Sequence, residues 1–451
     1  MSRTCAAALL GCLATMGPAR AQCVAEAVAY RGWDAIHLGN GIVDLWVVPD
    51  IGGRIIQVQC DGHEYFYVNP DLAGRVVPQV DAAGEKLPWP NYGGDKLWPA
   101  PQGPADGRHW PGPGDPVLDG GRFESQILRP GGDTAAVRLV SPPDTAYTGV
   151  RFSREITLHA GESRVHIVSG MRNVIDRPVR WSIWEVAQID AAGPAGPGYN
   201  DALSAYVPAS PVSRHPRGFY VMYGLWRNPA WQRPTPRSPI RVDFSYQIGK
   251  IGVDSDAGWL SVIDGRAGRT FTQVFPHEPG AAYPDQGSSV EFWINGAGSF
   301  NFLGSHVSVP ADPRMTPPYL EAEVLSPLVT LAPGEEAEAA MTWGLGSAQG
   351  EPISATSEAL VCGPAEANAD AGAVRVRMAL TPFIGGRLHA VLVDGQGQVV
   401  AERELAVAVP GARRCVDVRM ADRSGAAAGA RVVIVDRAGK SWTLAAMPVN
   451  R

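Results

Sequence analysis

Residues 150–189 read VRFSREITLHAGESRVHIVSGMRNVIDRPVRWSIWEVAQI, and this stretch decides the fold. Phe152, Ile156 and Leu158 alternate with Ser153, Glu155 and Thr157 before Ala160-Gly161-Glu162 turns the chain. Val165, Ile167 and Met171 alternate next. Asp176-Arg177-Pro178 turns the chain again before Trp181 to Ile189. Period-two burial with turns at this spacing predicts an antiparallel meander. Upstream, Ile42–Val48 and Arg54–Gln59 flank the turn Pro49-Asp50-Ile51-Gly52-Gly53 as two more strands. No stretch carries helical periodicity beyond about three turns, so the class is all-β.

At 451 residues the chain exceeds the size of an ordinary single core. A small, polar segment near Ser347–Ser357 divides it. Residues 22–347 are expected to form a large β unit, 348–357 a linker, and 358–451 a small C-terminal β-sandwich. The sandwich strands are expected at Val374–Leu380, Leu388–Val393, Val399–Ala406, Arg414–Arg419 and Arg431–Val435. Two long stretches, Pro88–Gly121 and Ala191–Pro239, read as irregular but rich in Trp and Tyr, the mark of a functional rather than a disordered segment.

Hydrophobic residues at 45% and charged residues at 19% exclude a largely disordered chain. The formal charge of −6 argues against a nucleic-acid partner. Met1–Ala21 has an early Arg3, an apolar run and Ala19-Arg20-Ala21, which reads as a secretory signal peptide too short to span a membrane. A periplasmic or secreted protein is expected. In an oxidising compartment the remaining Cys23, Cys60, Cys362 and Cys415 favour disulfides. Of three connectivities, Cys23–Cys60 and Cys362–Cys415 keep each pair within one unit. No spacing of His or Cys suits a metal, and no cofactor motif is present.

The densest polar constellation is Asn91-Tyr-Gly-Gly-Asp-Lys-Leu-Trp-Pro-Ala-Pro-Gln102. Asp95 and Lys96 beside Trp98 suit a sugar, with the ring stacked and the hydroxyls bonded; the alternative is a packed turn with a surface ion pair of little worth. Only four lysines occur (Lys86, Lys96, Lys250, Lys440), so a lysine within a motif stands out. Arg54, at a strand start after a glycine turn, offers a fork to a carboxylate or acidic sugar, or simply faces solvent. Glu185, flanked by Trp184 and sharing a face with Trp181 and Ile183, is costly to bury unless it sits in a cleft, where acid–base work would suit it; an edge-strand Glu is the alternative. Glu321 and Glu323, two residues apart, share one face, as acid–base pairs or a solvated strand face do. His277 and His109 are the histidines in turn-rich segments; Tyr283 or His277 would donate the proton in a lyase or hydrolase.

These segments together resemble the galactose mutarotase-like superfamily, the β-supersandwich of aldose 1-epimerases, and within it the DUF4380 branch. The residues that carry this are Leu38 to Leu45 with Pro49 to Ile56, then Tyr92 to Gln102, the meander Arg154 to Arg172 with Asn173, and Glu321-x-Glu323 followed by Leu331-Ala-Pro-Gly334 and Thr342-Trp343. The likeness covers about residues 35–347. It implies a saccharide ligand on the concave sheet, with Glu321 as the base that takes the anomeric hydroxyl proton. The family's proton-donating His has no counterpart on Trp181–Ile189, where Glu185 stands near that place. The expected site is therefore Glu321 and Glu185 as acid–base pair, with Arg54, Tyr92, Asp95, Lys96, Trp98, Trp184, His277 and Glu323 binding the sugar. The same fold also serves as non-catalytic glycan-binding modules and inside lyases and glycosidases.

Overall fold

The structure is a computed structural model describing residues 22–193, 198–436 and 438–450; the signal-peptide reading of Met1–Ala21 lies outside these residues. The strands are antiparallel throughout the large unit. One sheet runs, in spatial order, Cys23–Tyr30, Trp33–Gly39, Val43–Val48, Arg54–Cys60, Asp95–Ala100, Val179–Asp190, Tyr319–Leu325, Val290–Asn295, Gly249–Val253 and Tyr220–Gly224. The second runs Glu124–Gly132, Thr134–Val140, Val150–His159, Arg164–Asn173, Glu336–Ser347, Arg269–Val274, Trp259–Asp264, Leu203–Val207, Ile240–Asp243 and Trp231–Gln232. Edge pairings such as Cys23↔Gly132 join the two into a 22-stranded network.

The meander is where the alternation placed it. Phe152, Ile156, Leu158, Val165, Ile167 and Met171 are buried between the sheets, each worth about 1.5–3 kcal/mol on transfer from water. Leu38, Leu45, Val58, Phe271, Phe292 and Trp343 share one core with Ile156, Leu158, Val165 and Ile167, while Phe152 and Met171 pack with Trp181 and Ile183.

An 8-stranded C-terminal sheet packs around its own core of Val376, Leu380, Leu388, Leu392, Val432 and Ile434. The expected strands lie within Ala373–Pro382, Gly386–Val393, Val399–Ala408, Arg414–Ala421 and Gly429–Val435. Part of the expected linker is itself structured. Pro352–Thr356 pairs with Ala359–Asp370, because Ser and Thr with Ile353 tolerate extended backbone as readily as coil.

The disulfide expectation is corrected. All four cysteines are free thiols. Cys362 and Cys415 both stand opposite Ala379, on the strands either side of it, about 10 Å apart across two strand spacings and beyond disulfide reach. Cys23 and Cys60 lie on strands separated by Trp33–Gly39 and Val43–Val48, and the Cys23 thiol donates instead to the Leu158 carbonyl.

The stretch 88–121 is not wholly irregular: Asp95–Ala100 is a fully buried strand at the centre of the first sheet. Gly93 and Gly94 make its entry. Both have positive φ (91° and 72°), and a Cβ at Gly93 would stand 2.0 Å from the Tyr67 carbonyl oxygen. Any side chain there is excluded by backbone, so these glycines serve strand packing rather than approach to a ligand. Residues 191–239 likewise contain Leu203–Val207, Tyr220–Gly224 and Trp231–Gln232.

Candidate functional site

The register of Val179–Asp190 sorts the candidate residues onto two faces. Gln188 stands opposite Glu321 and Val186 opposite Glu323 in one ladder; Trp184 stands opposite Trp98 and Val186 opposite Lys96 in the other. Residues opposite one another share a face. Trp98, Lys96, Trp184, Gln188, Glu321 and Glu323 therefore lie together on the face turned away from the second sheet. Glu185 and Asp95 point the other way.

That inward pair is structural. Arg154 interrupts the apolar alternation of its strand, in phase with Phe152 and Ile156, and reaches across the core to Asp95 and to Glu185 Oε2, the latter at 2.7 Å. Ser169 donates to Glu185 Oε1. All four side chains are buried. Burial pushes the Glu185 carboxyl up to about 7, with Arg154 opposing, and raises Asp95 in the same way. A carboxylate costs several kcal/mol to desolvate and stays only because it is paired. The expectation that Glu185 forms an acid–base pair with Glu321, and that Asp95 binds the sugar beside them, is corrected: both tie the sheets together from inside.

On the outward face, Lys96 Nζ donates to Glu321 Oε1 at 2.7 Å, and Gln188 Nε2 donates to the same oxygen at 2.8 Å. Both contacts fall on Oε1, leaving Oε2 without a protein partner among the described residues. The Glu321 side chain keeps 12% exposure, against 1% for Lys96 and 0% for Glu323. The Lys96 ammonium sits 4.6 Å over the Trp98 ring and 5.5 Å over Trp89. Burial pulls Lys96 below the ordinary lysine range, with Glu321 opposing.

A second lysine cluster adjoins the first. Lys250 Nζ lies 2.7 Å from Glu291 Oε2 and 2.8 Å from Glu323 Oε2, and 4.5 Å over the Trp184 ring. The Trp184 indole donates to Glu323 Oε2 at 2.8 Å. Burial works against the Lys250 ammonium, but Glu291 and Glu323 outweigh it and hold the group well above its usual range. With two carboxyls for one ammonium, burial pushes Glu291 up to about 7 and Glu323 up to about 8. Lys250 and Glu291 were not among the sequence candidates. Their signal was present: Lys250 is one of four lysines, and Glu291 and Trp293 alternate with Val290, Phe292 and Ile294.

Arg54 is spent rather than free. It pairs with Asp119 and donates to the Gly93 carbonyl at 3.3 Å. Asp119 also accepts from the indoles of Trp98 (3.0 Å) and Trp89 (2.8 Å). Tyr92 lies buried under Arg54, its hydroxyl accepting from the Val77 amide at 2.8 Å. These residues wall the site without offering free groups. His277 is not brought to it by any contact among the described residues; its ring stacks on Tyr283 at 5.2 Å.

Residues 34–195 match the model of a known family. That family is the domain of unknown function DUF4380. The DUF4380 match bears out the resemblance read from the sequence; it includes Arg54, Tyr92 to Trp98 and Glu185, and ends before Glu321. Solved structures similar to the chain include a TPR-domain containing protein from Parabacteroides distasonis (16% identity, 69% of this chain and 46% of that one, TM-score 0.44). They also include a galactose mutarotase related enzyme from Lactobacillus acidophilus (12% identity, 70% and 99%, TM-score 0.40). A galactose mutarotase-like protein from Clostridium acetobutylicum is a further neighbour (11% identity, 72% and 99%, TM-score 0.42). This chain thus spans less than half of the first of these. No curated protein matches the sequence. No helix among the described residues is long and apolar enough to cross a membrane, and no group of His, Cys, Asp and Glu among them is arranged to hold a metal.

Proposed function

We propose that this protein binds a saccharide on the outward face of its first sheet, outside the cytoplasm, with Glu321 as the central hydrogen-bond acceptor. The observation that carries this reading is the state of Glu321. It is the least buried carboxylate of the cluster, with 12% of its side chain exposed, and it is fixed through Oε1 by Lys96 and Gln188 while Oε2 accepts no hydrogen bond from the described residues. Trp89, partly exposed beside it, offers a ring to a sugar, while Trp98 and Trp184 lie buried behind it under Lys96 and Lys250. Binding, rather than turnover by a carboxyl pair, is the reading that fits, because Glu185 faces the core.

Epimerase-like chemistry is the second reading, and one observation favours it. Lys96, with its lowered proton affinity, touches Glu321, so the two could serve as acid and base on the neighbouring oxygens of one anomeric carbon. A glycan array on the protein and on Glu321→Gln tests the first reading: hits lost in the variant support it, and hits retained at full strength overturn it. NMR of anomer exchange on any hit tests the second, which fails if exchange stays at the uncatalysed rate.

A further inference from the structure

We propose that the site accepts a chain of neutral sugars rather than a single monosaccharide or a uronate; this rests on the saccharide reading above. Glu321 stands opposite Trp293, Trp293 opposite Lys250, and Lys250 opposite Tyr223. The four residues form one row across four neighbouring strands, all on the face that holds Glu321. Tyr223 lies three strand spacings from Glu321, about 14 Å, a distance one sugar ring does not span.

Lys250 is the buried floor of this row, held down by Glu291 and Glu323. Trp293 and Tyr223 are only partly buried. The hairpin of Gly298–Phe302 and Ser305–Val309 edges the row with two further rings. Phe300 lies 5.4 Å from Trp293 and 5.6 Å from Tyr223, and Phe302 lies 5.8 Å from Tyr223. The row is thus acidic at one end, where Glu321 sits, and carries partly exposed rings at Trp293 and Tyr223. Aromatic rings hold pyranose faces without reading charge, which suits repeated units of a glycan.

The charge on this face excludes acidic sugars. Arg54, Lys96 and Lys250 are each already paired with Asp119, Glu321, or Glu291 and Glu323. Among the described residues of the cluster the acids outnumber the bases. A uronate would enter against Glu321 with no guanidinium or ammonium left to receive it, and burying it unpaired is costly.

The test is a calorimetric titration of the full chain with ladders of cello-, xylo-, chito- and malto-oligosaccharides from one to six units, and with oligogalacturonates. Affinity is expected to rise at least tenfold from monosaccharide to tetrasaccharide in one neutral ladder. Tyr223→Ala is expected to weaken tetrasaccharide binding at least tenfold more than monosaccharide binding, and Tyr223→Phe, which keeps the ring, to restore the difference. Equal affinity for one unit and four, or oligogalacturonate as the tightest ligand, overturns the proposal while leaving the saccharide site standing. Absence of binding to every ladder overturns both.

Discussion

Glu185 and Glu321 stand on opposite faces of one sheet. Gln188 is the residue opposite Glu321 in the ladder, so Glu185, three positions earlier, is turned to the core, where Arg154 and Ser169 receive it. The two carboxyls therefore belong to separate networks, one holding the sheets together from inside and one gathered around Lys96 on the outward face.

Removing Arg154 tests the inner network. Arg154→Met leaves Asp95 and Glu185 buried without their cation, and should cost about 3–5 kcal/mol of stability in urea denaturation. Glu185→Gln should leave saccharide affinity unchanged, since it never meets the ligand. A loss of affinity without a loss of stability in that variant would return Glu185 to the site.

Stability should fall as pH rises from 5.5 to 8.5. Burial raises Glu185 and Glu291 to about 7 and Glu323 to about 8, so the folded chain holds protons that the unfolded chain has released. The stabilisation from these groups is full below the unfolded carboxyl range, near 4.5, and is lost as pH climbs through 7 to 8. Glu162, lowered to about 2, acts with the opposite sign but only in acid. Thermal melts across this window should show the fall, and Glu291→Gln should flatten part of it.

Lys96→Met should weaken saccharide binding about tenfold, or about 1.4 kcal/mol, by freeing Glu321 from its fixed position. It should also destabilise the fold, because Glu321 loses the ammonium it is paired with and Asp119 a neighbouring positive charge. Calorimetry and denaturation together separate the two effects.

In the folded protein, Cys415 is exposed and should react promptly with a thiol reagent; Cys23, Cys60 and Cys362 are buried and should react only on unfolding. Burial pushes the Cys60 and Cys362 thiols up to about 11, which slows them further. A reducing agent should leave the melting temperature unchanged. A drop on reduction would show a disulfide.

The sequence made the β-meander plain because Phe152, Ile156, Leu158, Val165 and Ile167 repeat with period two and turns fall between them. Arg154 and Ser169 break that alternation in phase, which was the legible sign of a buried polar pair between the sheets. Glu321, Glu323, Lys96, Trp98 and Trp184 were found from residue type and do come together. What could not be read was which face each residue takes relative to other strands, since that depends on the register between segments more than a hundred residues apart. The same limit hid Asp95–Ala100: Pro99, Pro101 and the paired glycines read as loop, and only tertiary pairing makes the segment a strand. The cysteine pairing failed for a related reason, because an even count carries no information about how many strands lie between two residues.

The most direct measurement is a crystal structure of the protein with a sugar identified on the array. A sugar hydroxyl is expected within hydrogen-bond distance of Glu321 Oε2, with a ring resting near Trp293 or Trp89. A sugar bound instead on the C-terminal sheet, or on the outward face but away from Glu321, would contradict that expectation.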